Sequence, residues 1–238
     1  MPVDDFDVER LAAYLHLNPA GVARSAERGK LPGRKVAGQW RFSQAEFHHW
    51  LEDQMGLSTD QELKQMEDAL RQSPGKSAEA DFSLSAMLPL EAIAIPLAAR
   101  TRGSVITTIC ELAAQTGLLW DAAKMADAVR AREDLCPTAL DNGVALLHPR
   151  RPLPSILSQP LLALGRTERK IPFGGARGTL TDLFFLICST DDRCHLRVLA
   201  RLNRLISDDT VLEGLRAAPD ARSARTLIAE REVALSPD

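Results

Sequence analysis

The sequence predicts two domains of different class: a small, mainly α winged helix-turn-helix with a β-hairpin, then an α/β domain whose mixed sheet is covered by helices. Three observations carry that expectation. Residues 7–51 hold two short amphipathic helical patterns, a pair of extended pieces around a turn, and a third helical pattern. Residues 56–85 turn polar, with Ser73-Pro74-Gly75 as a breaker. From residue 86 onward, short apolar runs alternate with helical patterns, which implies a sheet buried on both faces. The expected boundaries are 1–55, a polar linker with a short helix over 56–85, and 86–238.

Bulk properties bound the function. A chain of 238 residues with 45% hydrophobic content is long enough for two modest cores. A net charge of −3 and a pI near 6.0 exclude a globally basic nucleic-acid coat and leave room only for a local basic patch. No basic stretch followed by an apolar run opens the chain, so no secretory signal is expected. The apolar stretch from Ala86 to Ala99 is broken by Pro89, Glu91 and Pro96, too short to span a bilayer. The expectation is a cytoplasmic chain with no direct membrane insertion. Four cysteines without C-x-x-C spacing read as reduced thiols, mostly core filler, with no metal site.

In the first domain, Asp7 caps a helix through Val8, Leu11, Ala12 and Leu15. Asn18-Pro19 starts a second helix, with Val22 and Ala26 inward and Gly29 ending it. Leu31 to Val36 and Gln39 to Phe42 form a hairpin around Ala37-Gly38. Ser43-Gln44-Ala45-Glu46 reads as a capping box for a third helix bearing Phe47, Trp50 and Leu51. His48 and His49 read as surface residues of that helix. From Arg24 to Arg41 the bases are Arg24, Arg28, Lys30, Arg34, Lys35 and Arg41, against the single acid Glu27. A solvated charged face is the plain alternative, but clustering on the second helix and hairpin favours contact with DNA.

The runs Arg28-Gly29-Lys30-Leu31-Pro32, Trp40-Arg41-Phe42 and Trp50-Leu51 resemble the excisionase-type, MerR-like winged-helix family over residues 7–51. The resemblance implies that helix 19–28 enters the major groove of duplex DNA. Arg24 and Arg28 become the groove contacts. Arg34, Lys35 and Arg41 are placed on the wing, with Lys35 and Arg41 as phosphate contacts that position rather than specify.

In the linker, Thr59-x-x-Glu62 can cap a short helix with Leu63, Met66 and Leu70 inward, followed by a flexible tether. In the second domain, Ile93 to Leu97 is expected as an edge strand, because Pro96 argues against a central one. Helices follow near 104–115 and 121–132. Val144–Leu147, Leu161–Leu164 and Leu183–Cys188 read as buried strands. Helices near 192–206, 209–217 and 222–230 complete the domain.

Gly143-Val144-Ala145-Leu146-Leu147-His148 ends an apolar strand in a histidine, Ala131-Arg132-Glu133 precedes it, and His195 opens an apolar-periodic helix. This arrangement, over about residues 86–234, resembles the type-2 enzyme IIA of the phosphotransferase system, the fructose, mannitol and nitrogen-regulatory class. The resemblance implies a phosphoryl carrier with His148 as acceptor and His195 and Arg132 as its active-site partners, without cofactor or metal. Leu147 stands where the family usually has proline, and Pro149, which lacks an N–H, where it has glycine. The implied partners are an HPr-like phosphohistidine carrier protein, duplex DNA, and a permease subunit or regulatory protein. The expected function is a cytosolic regulator coupling phosphohistidine state to DNA binding. The alternatives are a phosphotransfer component of sugar uptake and a transfer-inactive docking module.

Overall fold

The computed structural model describes residues 5–15, 18–43, 46–47, 50–51, 61, 63–64, 67, 83–175 and 178–235. The chain divides into two compact units, Met1–Ala80 and Asp81–Asp238.

In the first unit, β1 (Asp5–Phe6) leads into α1 (Val8–Leu15). The Asp7 carboxylate accepts the Arg10 N–H at 2.8 Å, and the Asp7 carbonyl accepts the Leu11 N–H, which together start the helix. Asn18 caps α2 (Pro19–Glu27) through the Ala20 N–H at 2.9 Å, and Gly29 takes φ +68° just beyond it. The hairpin is β2 (Arg34–Val36) and β3 (Gln39–Ser43), turning through Ala37 and Gly38 with φ +49° and +80°. Both central residues are left-handed, the conformation that matches the twist of a two-residue hairpin. The first extended piece is shorter than predicted, since Leu31–Gly33 lies outside the strand. One element was not predicted: β1 pairs with β3, giving a three-stranded sheet in the order β1-β3-β2. Leu11, Val22, Ala26, Phe42, Phe47 and Leu51 form the buried side, with Phe6 and Tyr14 rings 5.3 Å apart beside it. The expected capping box falls partly on residues 44–45 and the surface histidines on 48–49, outside the described residues. Of the linker helix, Leu63 is helical and buried, while Met66 and Leu70 lie outside the described residues.

In the second unit a 3-10 turn (Leu90–Ala92) enters β4 (Ile93–Ala94). α3 (Arg102–Ala114) and α4 (Ala122–Glu133) follow, then β5 (Val144–Leu147). β6 (Leu161–Pro172) and β7 (Leu180–Cys188) make a long hairpin. α5 (Asp192–Ile206), α6 (Asp209–Ala217) and α7 (Ala221–Leu235) close the fold. Strand order is β4-β6-β7-β5, with β6–β7 antiparallel and both outer pairs parallel. The expected mixed sheet is present, and the strand expected over Ile93 to Leu97 is at the sheet edge but only two residues long, Ile93–Ala94. Ala145, Leu147, Leu161, Ala163, Phe184 and Leu186 face α3 and α4 in one apolar cluster. Their neighbours Val144, Leu146, Leu162, Leu164, Phe185 and Ile187 are equally buried on the opposite face, where α5 packs on β7. A period of two therefore fills both layers.

Polar clamps hold the ends of this unit. Gly143 has φ +84°, and a Cβ there would meet Arg216 Nη2 at 2.9 Å and the Leu180 carbonyl at 3.2 Å. Arg216 itself binds Asp182 through two nitrogens at 3.0 Å and the Asn142 carbonyl at 2.7 Å. Two of the four free cysteines, Cys110 and Cys188, are core residues. Cys136 is exposed and Cys194 half-buried, so the reading of cysteines as mostly core filler holds for half of them. Burial pushes Cys110 up to about 12 and Cys194 to about 11, which keeps both as thiols at neutral pH.

Candidate functional site

The site in the second unit follows from strand alternation. Val144 and Leu146 point to the α5 face, and the same period carries the next residue of that parity, His148, to it. Asp191 caps α5 by accepting the Cys194 N–H at 2.8 Å, which places His195 in the first turn. The two imidazoles come together with centroids 4.9 Å apart and planes at 54°. His148 is 2% exposed and His195 5%.

The His148 tautomer follows from its neighbour. Nδ1 lies 2.8 Å from the Leu146 carbonyl oxygen, which can only accept. Nδ1 therefore carries a hydrogen, and in the neutral ring the lone pair lies on Nε2.

Arg132 sits in the last turn of α4, buried, and its Nη1 donates to the Cys136 carbonyl at 2.8 Å. The segment after it runs along β5. Leu140 N–H donates to the Val144 carbonyl at 2.8 Å and Leu146 N–H to the Thr138 carbonyl at 3.4 Å. This segment also covers the open edge of β5. The structure thus brings His148 and His195 side by side and ties Arg132 to the strand through the 136–140 segment.

Glu133 is a residue that sequence reasoning did not single out. Its side chain is fully buried, and it accepts the Thr138 N–H at 3.1 Å and the Thr138 hydroxyl. Burial raises its carboxyl above the ordinary 4.5, while the Thr138 bonds, Arg102 and His148 pull the other way. A raised folded value means that its stabilising contribution is fully present below the unfolded value and is lost as pH rises through the folded one. Wild type should therefore lose stability relative to Glu133→Gln as pH climbs from about 4.5, by at most about 1.4 kcal/mol per pH unit. Urea midpoints across pH for both chains check this; parallel profiles would contradict it.

In the first unit, Arg24 is exposed on α2, and Arg28 follows as its C-cap. Neither these nor Lys30 has a side-chain partner among the described residues. On the hairpin, Arg34 and Arg41 occupy directly opposed positions. Their like charges are answered by acids from the chain start: Arg34 to Asp5 at 3.3 Å and Arg41 to Asp7 at 3.7 Å. Lys35 Nζ stands 5.2 Å from the Trp40 ring centroid. Asp5 and Asp7 lie outside the Arg24–Arg41 window, so counting charge within that window could not show these pairings.

Residues 86–231 match the profile described as phosphoenolpyruvate-dependent sugar phosphotransferase system, EIIA 2, and residues 6–55 match a helix-turn-helix domain. A nitrogen regulatory protein of Bradyrhizobium diazoefficiens is 34% identical over 100 residues, 41% of this chain and 63% of that protein's length. A fructose-specific EIIA component of a phosphotransferase system from Haloferax volcanii is 26% identical over 149 residues, 62% of this chain and 95% of the relative. The crystal structure of the nitrogen regulatory protein IIA-Ntr from Neisseria meningitidis aligns with TM-score 0.55 and 24% identity. It covers 61% of this chain and 98% of that one, a likeness of fold. The profile spans more than half of the sequence and contains the paired histidines, and the chain belongs to the phosphotransferase-system EIIA type-2 family, with a helix-turn-helix domain ahead of the EIIA domain.

Proposed function

We propose that the chain is a cytoplasmic regulator in which phosphorylation of His148 by an HPr-like phosphohistidine carrier changes the affinity of the N-terminal domain for duplex DNA. The observation that carries this reading is the buried histidine pair, with Nδ1 of His148 against the Leu146 carbonyl, on one chain with a helix-turn-helix domain.

The transfer is a displacement at phosphorus. The Nε2 lone pair attacks the phosphoryl group, the P–N bond of the donor breaks, and its electron pair returns to the donor imidazole. Charge spreads over the phosphoryl oxygens, so positioning and electrostatics dominate. Arg132 supplies a fixed cation, and a ring N–H of His195 donates to a phosphoryl oxygen. With His148 2% exposed, the donor reaches Nε2 only after local rearrangement.

On DNA, Arg24 and Arg28 read base edges from α2, while Arg34, Lys35 and Arg41 hold phosphates. Arg34 and Arg41 must exchange Asp5 and Asp7 for phosphate oxygens. Replacing Arg24 should alter sequence preference, whereas Lys35→Ala should weaken binding to all sequences and lower the salt slope by about one. Gel-shift titrations of the full chain at several salt concentrations check this. No binding at tens of micromolar would remove DNA from the reading.

Phosphotransfer in sugar uptake is the second reading, favoured by the likeness to the fructose-specific component. Incubation with phosphorylated carrier, then with candidate permease subunits, separates the two. Onward transfer to a permease subunit supports uptake. Label that stays on the chain and shifts DNA affinity supports regulation. Failure to label would point to Leu147 and Pro149 as marks of a docking module.

A further inference from the structure

We infer that Glu133 is a positioning residue for phosphoryl acceptance, setting through Thr138 both the seat of the Arg132 guanidinium and the orientation of His148. Its mechanistic consequence rests on the phosphoryl-acceptor reading of His148; its geometry does not.

Glu133 is the last residue of α4 and directly follows Arg132. Its carboxylate binds both donors of Thr138, the N–H and the hydroxyl, and so closes the turn that leaves the helix. Arg102 of α3 approaches the same carboxylate at 3.6 Å and Asp134 at 3.3 Å, which supplies a counter-charge from a second element. The closed turn presents two carbonyls. That of Cys136 receives Nη1 of Arg132 at 2.8 Å. That of Thr138 receives the Leu146 N–H at 3.4 Å, and the Leu146 carbonyl in turn receives Nδ1–H of His148 at 2.8 Å. One buried carboxylate thus anchors the turn from which both the phosphoryl-binding cation and the strand carrying the nucleophile take their register. Loss of the anchor frees the turn, loosens the Arg132 seat, and relaxes the bond that keeps hydrogen on Nδ1 rather than Nε2.

A plain loop staple would matter for stability alone. The discriminating readout is the imidazole nitrogen spectrum of His148 in the nitrogen-15-labelled full chain, recorded without any phosphoryl donor, alongside the rate of labelling by phosphorylated carrier. Wild type should show a protonated Nδ1 and an unprotonated Nε2. Glu133→Ala should show a tautomer mixture and a rate lower by on the order of 10- to 100-fold, the scale of a small misplacement. Glu133→Gln keeps an acceptor for the Thr138 N–H and a donor for its hydroxyl, and should restore both readouts. If Glu133→Ala does not fold, Thr138→Val, which removes one of the two bonds, should shift both readouts in the same direction by less. A folded variant with a wild-type nitrogen pattern overturns the inference, even if its rate has fallen, because Glu133 then serves only the turn. A wild-type chain that never takes label would instead count against the transfer reading, with the positioning role still decided by the tautomer.

Discussion

If His148 is the proposed acceptor, replacing it by alanine should remove phosphoryl acceptance, a loss on the order of 10³-fold or more, as expected when a covalent nucleophile is deleted. The size follows from the geometry. Nδ1 lies 2.8 Å from the Leu146 carbonyl, which places the lone pair of the neutral ring on Nε2. His195 stands 4.9 Å away by ring centroid and is placed to help rather than to replace. His195→Ala should therefore slow labelling by about 10²- to 10³-fold, the cost of one electrostatic donor, and leave the label on His148. Intact mass and peptide mapping after incubation with phosphorylated carrier check both variants. Label on His195 in the His148→Ala chain would reverse the assignment.

Glu232→Ala should destabilise the EIIA unit by about 3–5 kcal/mol, the range for removing one partner of a buried ion pair. Glu232 lies on α7, and its side chain is 6% exposed; that of Arg201 on α5, 3.6 Å away, is 9% exposed. The same carboxylate accepts the Ser83 hydroxyl at 2.8 Å, the Leu84 N–H, and the Ser85 N–H at 3.1 Å. One group thus holds the entry of the unit against its last helix and pairs with a largely buried cation. Removal takes one counter-charge from a largely buried Arg201 and strips backbone donors of their acceptor. Glu232→Gln should cost less, because an amide oxygen still accepts. Urea titration read on β7 amide signals measures the loss; a change below about 1 kcal/mol would contradict the clamp.

Local signals carried the helices of the second unit. Asp191 and Asp208 mark the starts of α5 and α6, and apolar spacing marks their lengths, so 192–206 and 209–217 agree with the structure. Charge hid the rest of β6. Beyond Gly165 the residues Glu168, Arg169 and Lys170 are exposed, and their polarity reads as loop although the strand continues to Pro172. β1 is two residues long and exists because β3 offers an edge, which no local pattern announces. Local patterning placed His148 at a strand end and His195 at a helix start, while the choice of His148, His195 and Arg132 as site residues came from the resemblance to the type-2 enzyme IIA family. Glu232 was not legible, since its partners are set by tertiary placement, Ser85 lying 147 positions away; nor was Glu133, whose partner Thr138 is five residues on, past the helix end, where no helical period pairs them. The pairing of Arg34 and Arg41 with Asp5 and Asp7 was hidden for the same reason.

The proposed coupling of phosphoryl acceptance to DNA binding is tested by DNA affinity at fixed salt, comparing enzymatically phosphorylated chain with His148→Ala. On the proposed reading, phosphorylation adds about two negative charges to a chain that approaches a polyanion. The account predicts an affinity lower by roughly 5- to 150-fold in the phosphorylated chain, the usual range of coupling between sites. Equal affinities, with label confirmed on His148, would contradict it.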